Sequence, residues 1–127
     1  MNDRHDKGIA MRRAVLGDDH VAQAEAQKTD FDAPFQDLIT ESAWGTVWAS
    51  DAISLRERSM ITLALLAATG NFTEIPMHIR ATANTGASQQ DVIEVFQHVA
   101  IYAGVPTARH AIALAKQTYA DMKEAQT

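Results

Sequence analysis

The chain has 127 residues, 46% of them hydrophobic, with a formal net charge of −5 and no cysteine. That length fits one domain, residues 1–127, with enough apolar material for a core, and the lack of cysteine excludes disulfides, thiolate nucleophiles and thiolate metal sites. The acidic balance argues against nucleic acid as a partner but leaves room for a small anionic ligand held by local arginines. No apolar run approaches the roughly 18 residues of a membrane span. The polar start MNDRHDKGIAMRR does not read as a signal peptide, and cysteine usage fits a reducing cytoplasm.

Taken in order, Met1–Lys7 is polar and expected to fray. Apolar residues at Ile9, Met11, Val15 and Leu16 predict a short helix stopped by Gly17, with Arg12 and Arg13 inside it. Asp18–Lys28 predicts a second short helix, and Thr29–Ala33 a turn. Asp32 is the expected cap and Pro34 the expected first position of the next helix. Phe35, Leu38, Ile39, Ala43, Trp44 and Val47 keep helical spacing through Trp48. Trp44 and Trp48 lie four apart, as core, subunit contact or ligand wall, and Gly45 between them permits close backbone approach.

Ser54 and Glu57 read as a capping box. Leu55–Thr69 is apolar nearly all round and predicts a helix buried on most sides. Thr73–Gly86, TEIPMHIRATANTG, predicts a helix capped by Thr73, opened by Pro76 and ended by Gly86. Ser88 and Asp91 form another box. Val92, Val95, Phe96, Val99, Ala100 and Ala103 make a helical stripe ended by Gly104. Pro106 opens a last helix to about Lys123, with Ala108, Ile112, Ala115 and Tyr119 on one side. No segment alternates as a strand does, so the expected fold is all-α, with about six to seven helices.

Within this frame Glu74 and His78 share a helix face, an arrangement that can fix an imidazole tautomer and keep the ring protonated. Glu94, His98 and Tyr102 repeat the spacing. Arg12, Arg13, Arg56, Arg58, Arg80 and Arg109 supply cations, and Arg58 precedes the apolar run, at the edge of the core. Each has a structural alternative: a solvated Glu–His pair, or an ion pair to Glu57, Glu74 or Glu94. Two Glu–His pairs could also be considered for a metal, but the helical di-metal pattern uses Glu-x-x-His, one residue shorter, and no metal is expected. No Walker loop, dinucleotide fingerprint or Ser–His–Asp order is present.

RRAVLGDDHV, FQDLITESAWGTVW, LRERSMITLALLA, the Glu74–His78 pair followed by HIRATANTG, and SQQDVIEVFQHVAIYAGVP together resemble the carboxymuconolactone decarboxylase family, specifically its γ-carboxymuconolactone decarboxylase branch. The family also holds alkylhydroperoxidase D-like peroxidases with a Cys-x-x-Cys pair before the matching histidine. Here that window is Asn71-Phe72-Thr73-Glu74, which rules out thiol peroxidase chemistry. ASDAIS after Trp48 lacks the Arg-Pro-Gly-type turn common in the decarboxylases.

The resemblance implies an all-helical protomer in a hexameric ring, a trimer of dimers, with active sites near subunit contacts. It implies cofactor-independent decarboxylation of γ-carboxymuconolactone, a small anionic lactone, to β-ketoadipate enol-lactone in aromatic degradation. On that basis His78 is the expected proton donor, Glu74 its orienting partner and Arg58 the carboxylate grip. Arg80 and Arg13 are helpers, Trp44 and Trp48 an apolar wall, and Glu94, His98 and Tyr102 a second layer or alternative acid. The alternatives are a family member acting on a related lactone or quinonoid, a metal-dependent enzyme, and a non-catalytic helical module that binds a carboxylate or a protein.

Overall fold

Apolar spacing at helical period runs through the chain, and the computed structural model, which describes residues 3–126, is helical from end to end with no strand among those residues. Its contacts group into two units that divide between Leu55 and Arg56.

The first unit holds α1 (Asp3–Leu16), α2 (Asp18–Gln27), α3 (Ala33–Ile39) and a π-helix (Thr40–Trp48). α1 corrects the expected fraying of its start. It begins at Asp3, with Asp3 and Asp6 in a first turn whose positive helix end favours acidic groups; residues 1 and 2 lie outside the described residues. Gly17 ends α1 as expected, at φ 94°, donating to the Arg13 carbonyl at 2.9 Å. Asp32 does not cap α3 with its side chain. Its carboxylate turns back and accepts from the Thr29 N–H at 2.8 Å and the Thr29 hydroxyl at 3.3 Å, which fastens the turn instead.

The single helix expected over 35–48 is also corrected. From Thr40 the backbone widens to π spacing, and the Thr46 hydroxyl follows that register by donating to the Glu41 carbonyl five residues back, at 3.0 Å. The packing partner is α1. A Cβ on Gly8 would overlap the Thr40 carbonyl, and one on Gly45 would overlap the Arg4 carbonyl. Two glycines thus let two helical backbones touch, as Gly45 suggested. Trp44 and Trp48 are buried, their rings stacked at 5.1 Å and 27°.

The second unit holds α4 (Leu55–Ala68), a 3₁₀ turn (Phe72–Glu74), α5 (Ile75–Thr85), α6 (Gln89–Tyr102) and α7 (Val105–Ala125). Its core joins Leu63 and Ala67 of α4, Ile75 and Ile79 of α5, Val92, Val95, Phe96 and Val99 of α6, and Ala108, Ala111 and Ala115 of α7. Each large side chain fully buried here, such as Phe96 or Leu63, contributes about 1.5–3 kcal/mol. α7 turns its small residues inward. Ala111 takes the place expected for Ile112, which is 40% exposed, because the buried face runs Ala108, Ala111, Ala115, Thr118 and brings α7 close to α5 and α6. α4 is not buried on most sides. Ser59, Leu63 and Ala67 face inward, while Ile61 and Leu65 stay 50% and 58% exposed because the other helices cover one face.

Helix ends in this unit are tied by side chains. Thr73 does not cap α5; it lies inside the 3₁₀ turn, and Glu74 holds the cap position. Gly86, at φ 88°, closes α5 by donating to the Thr82 carbonyl at 3.0 Å. Ser88 and Asp91 form the expected box: the Asp91 N–H donates to the Ser88 hydroxyl at 3.0 Å and the Ser88 N–H to the Asp91 carboxylate at 2.9 Å. The same carboxylate receives both arms of Arg56, from Nε at 2.8 Å and Nη2 at 2.7 Å. The Thr107 hydroxyl donates to the Ala67 carbonyl at 2.6 Å, beside the Gly70 N–H at 3.2 Å, and so ties the start of α7 to the end of α4.

Gly8→Ala and Gly45→Ala each insert a methyl where a carbonyl already sits. Urea denaturation is expected to show a loss of about 1–3 kcal/mol for either; a midpoint equal to wild type would show that the two backbones can separate freely. Arg56 first, and then the Ser88 N–H, hold the Asp91 carboxyl below its usual range. A lowered folded-state pKa stabilises above the unfolded value of about 3.9 and loses that stabilisation as pH falls through the folded one. Below about pH 4, thermal melting of wild type is therefore expected to fall more steeply than that of Asp91→Asn. Parallel acid limbs would contradict this.

Candidate active site

α5 is the helix from which a site can be built, because it is buried around most of its circumference and still carries polar groups inward. Ile75, His78, Ile79, Ala81, Thr82 and Thr85 are all buried. His78, Thr82 and Thr85 follow one another at helical spacing down a single face. Thr85 shares a hydrogen bond of 2.7 Å with the buried Ser59 hydroxyl of α4, and Thr82 donates to the Ile79 carbonyl. His78 is 7% exposed and lies in the first turns of α5. Glu74, four residues earlier, is exposed at the helix start. The pair therefore spans the boundary between solvent and interior: the imidazole inside, the carboxylate outside.

The arginines divide. Arg56 is committed to Asp91. Arg58 is half-buried on α4; Arg80, Arg13 and Arg109 are exposed. Arg12, the neighbour of Arg13, is buried at 6% exposure, with Nη1 donating to the Gln36 amide oxygen at 3.2 Å. The sequence reading favoured Arg13 of this pair. The signal that separates them is spacing: Gly8, Arg12 and Val15 form the buried face of α1, and Arg13 is rotated off it.

Glu94, His98 and Tyr102 are exposed on α6. The His98 and Tyr102 rings stack at 4.9 Å and 20°. With Met60, Ile61, Ala64 and Leu65 of α4 they edge a groove of about 510 Å³ whose walls are mostly apolar. A smaller cleft of about 310 Å³ between α6 and α7 is walled by Val92, Phe96, Ile112 and Tyr119, among others. Neither is lined by His78, Glu74, Arg58 or Arg80. Trp44 and Trp48 are brought together as a buried stack in the first unit. Among the described residues, no three or more His, Asp or Glu side chains gather as a metal site would need, and no helix is long and apolar enough to cross a membrane.

Imidazole, carboxylate and guanidinium are the groups that acid–base chemistry on an anion uses, and comparison with known proteins says what the chain resembles. Residues 33–117 match the model of the carboxymuconolactone decarboxylase family. The chain is 36% identical over 124 residues to a 4-carboxymuconolactone decarboxylase of Acinetobacter baylyi, covering 96% of this chain and 92% of that protein. It is 37% identical over 117 residues to a nitrosuccinic acid decarboxylase of Metarhizium robertsii, covering 92% of this chain and 82% of that one. A 42-residue stretch, 33% of this chain and 88% of the other, is 48% identical to a 4-carboxymuconolactone decarboxylase of Pseudomonas putida.

Proposed function

Because this chain belongs to the carboxymuconolactone decarboxylase family, we propose that it is a carboxy-lyase that removes carbon dioxide from a small activated di-acid, with γ-carboxymuconolactone as the first substrate to test. The observation that carries the reading is the inward His78 on α5, in a chain whose relatives are decarboxylases.

In γ-carboxymuconolactone the departing carboxylate leaves its electrons on a ring carbon. They run through the adjacent double bond into the lactone carbonyl, giving a furan-like oxyanion. A proton must then reach the carbon beside that carbonyl, and the product is the enol-lactone. The reaction needs a cation on the side-chain carboxylate, a donor for the oxyanion and a positioned acid. An oxyanion donor is worth about 3–4 kcal/mol and the acid roughly 10²–10⁴-fold. His78 delivers the proton and Glu74 at the helix start keeps the imidazole charged and oriented. Arg58 grips carboxylate, with Arg80 and Arg13 as helpers. Trp44 and Trp48 offer an apolar wall for neutral carbon dioxide, and Glu94, His98 and Tyr102 act as an outer layer or alternative acid. No cofactor enters this scheme, because the lactone carbonyl is itself the electron sink.

Nitrosuccinic acid is the second reading, favoured by the relative of 37% identity. There a nitro group takes the electrons in place of the lactone carbonyl; the requirements for a gripped carboxylate and a placed proton are unchanged.

Ile61, Leu65, Ile101 and Tyr102 are 50–80% exposed along α4 and α6, which supports self-association, and the homo-oligomer in this reading is the hexameric ring, acting in the cytoplasm.

Purified protein mixed with γ-carboxymuconolactone is expected to bleach its ultraviolet absorbance with release of one carbon dioxide per lactone; nitrosuccinate is the parallel assay. His78→Ala should lower turnover by at least about 10². Wild-type turnover in that variant, with assembly intact, would remove His78 from the mechanism. Leu65→Asp places a charge on the exposed apolar face and is expected to reduce particle mass in light scattering; an unchanged mass would exclude that face from the assembly.

A further inference from the structure

A guanidinium offers five N–H donors and cannot shed its charge. In Arg12, with 6% of its surface exposed, one donor is engaged among the described residues, and its acceptor is the neutral Gln36 amide at 3.2 Å. Nε is sealed from solvent without an acceptor. The carboxylate that acts on Arg12 through space, Glu25, is exposed and already bonded to Lys28 at 2.9 Å. Burial lowers the proton affinity of the guanidinium, with Glu25 opposing to a smaller extent.

Arg56 shows what a structurally satisfied arginine looks like in the same chain: more exposed, yet forked onto a carboxylate by two bonds. Arg12 has the reverse combination, more burial and less compensation, which is strongly unfavourable unless an anion arrives. Stability alone would be served as well by an apolar side chain of that volume. We infer that Arg12 is a carboxylate-binding site, built to receive one carboxylate of a small di-acid through the donors that the polypeptide leaves unused. The identity of the ligand rests on the decarboxylase reading: both substrates considered above keep a second carboxylate after the first has left, and that group must be held.

The test compares wild type, Arg12→Met and Arg12→Lys by thermal melting with succinate, using chloride at matched ionic strength as control, alongside steady-state kinetics. Succinate is expected to raise the wild-type melting temperature and to leave that of Arg12→Met unmoved. Without ligand, Arg12→Met is expected to melt at or above wild type, because an uncompensated charge has gone. Its KM should rise roughly tenfold or more, with a smaller change in kcat, and the lysine variant, charged but without the fork, should fall between. The inference is overturned if succinate does not stabilise wild type, or if Arg12→Met keeps the succinate shift or an unchanged KM. It is also overturned if Arg12→Met loses the shift together with particle mass, since the carboxylate would then come from a neighbouring copy. If Arg12→Met does not fold, the lysine variant decides alone: a reduced succinate shift supports the site and a full one removes it. A succinate shift that depends on Arg12, in a protein that turns over neither lactone nor nitrosuccinate, keeps the site and discards the decarboxylase reading.

Discussion

Polar groups that face the inside of a helical core must find partners there, since each one left unsatisfied costs about 1–3 kcal/mol. α5 puts His78, Thr82 and Thr85 into that position on one face, and much of the second unit answers to it. Ser59 is the polar member of the inward stripe Ser59–Leu63–Ala67 of α4, and it meets Thr85 at 2.7 Å. Thr82 turns to its own helix and bonds the Ile79 carbonyl, and His78 is engaged as well. Tyr119 of α7 marks where the supply of partners ends. Its hydroxyl is sealed from solvent without a hydrogen-bond partner among the described residues, and burial pushes the phenol pKa up, with Thr82 opposing to a smaller extent.

The ties at the helix ends explain why the open groove lies where it does. Arg56 reaches from the first turn of α4 to the capping box of α6, and Thr107 reaches from the start of α7 to the last turn of α4. Both ends of α4 are therefore held while its outward face stays bare. Ile61 and Leu65 are not failures of core formation. They belong to the opposite side of a helix whose inward stripe, Ser59–Leu63–Ala67, is already complete.

How much of this was legible in the sequence depended on the range of each interaction. The Ser88–Asp91 box and the Gly86 and Gly104 breaks were readable because cap and terminus are decided within a few residues. The fork from Arg56 to the same Asp91 was not, since 35 residues separate them and nothing local points across. The π-helix was invisible for another reason. Over the nine residues Thr40–Trp48 the apolar spacing accommodates either helical period, and the wider one occurs where α1 approaches through Gly8 to the Thr40 carbonyl. Asp32 was readable as a turn residue but not in its direction, because an aspartate carboxylate can serve the N–H ahead of it or behind it. At the site, the four-residue spacing of Glu74 and His78 gave no hint that one would be exposed and the other buried; that follows from where the 3₁₀ turn stops and α5 begins.

Counting which cations are already spent narrows what an anion can meet. Six arginines drew attention in the sequence reading, and a guanidinium with both arms on a carboxylate, like Arg56, has no fork left to offer. Exposed Arg13, Arg80 and Arg109 keep their water shells, so an anion bound there gains little over solution. Contact energy per donor rises as water is excluded, which favours the buried Arg12.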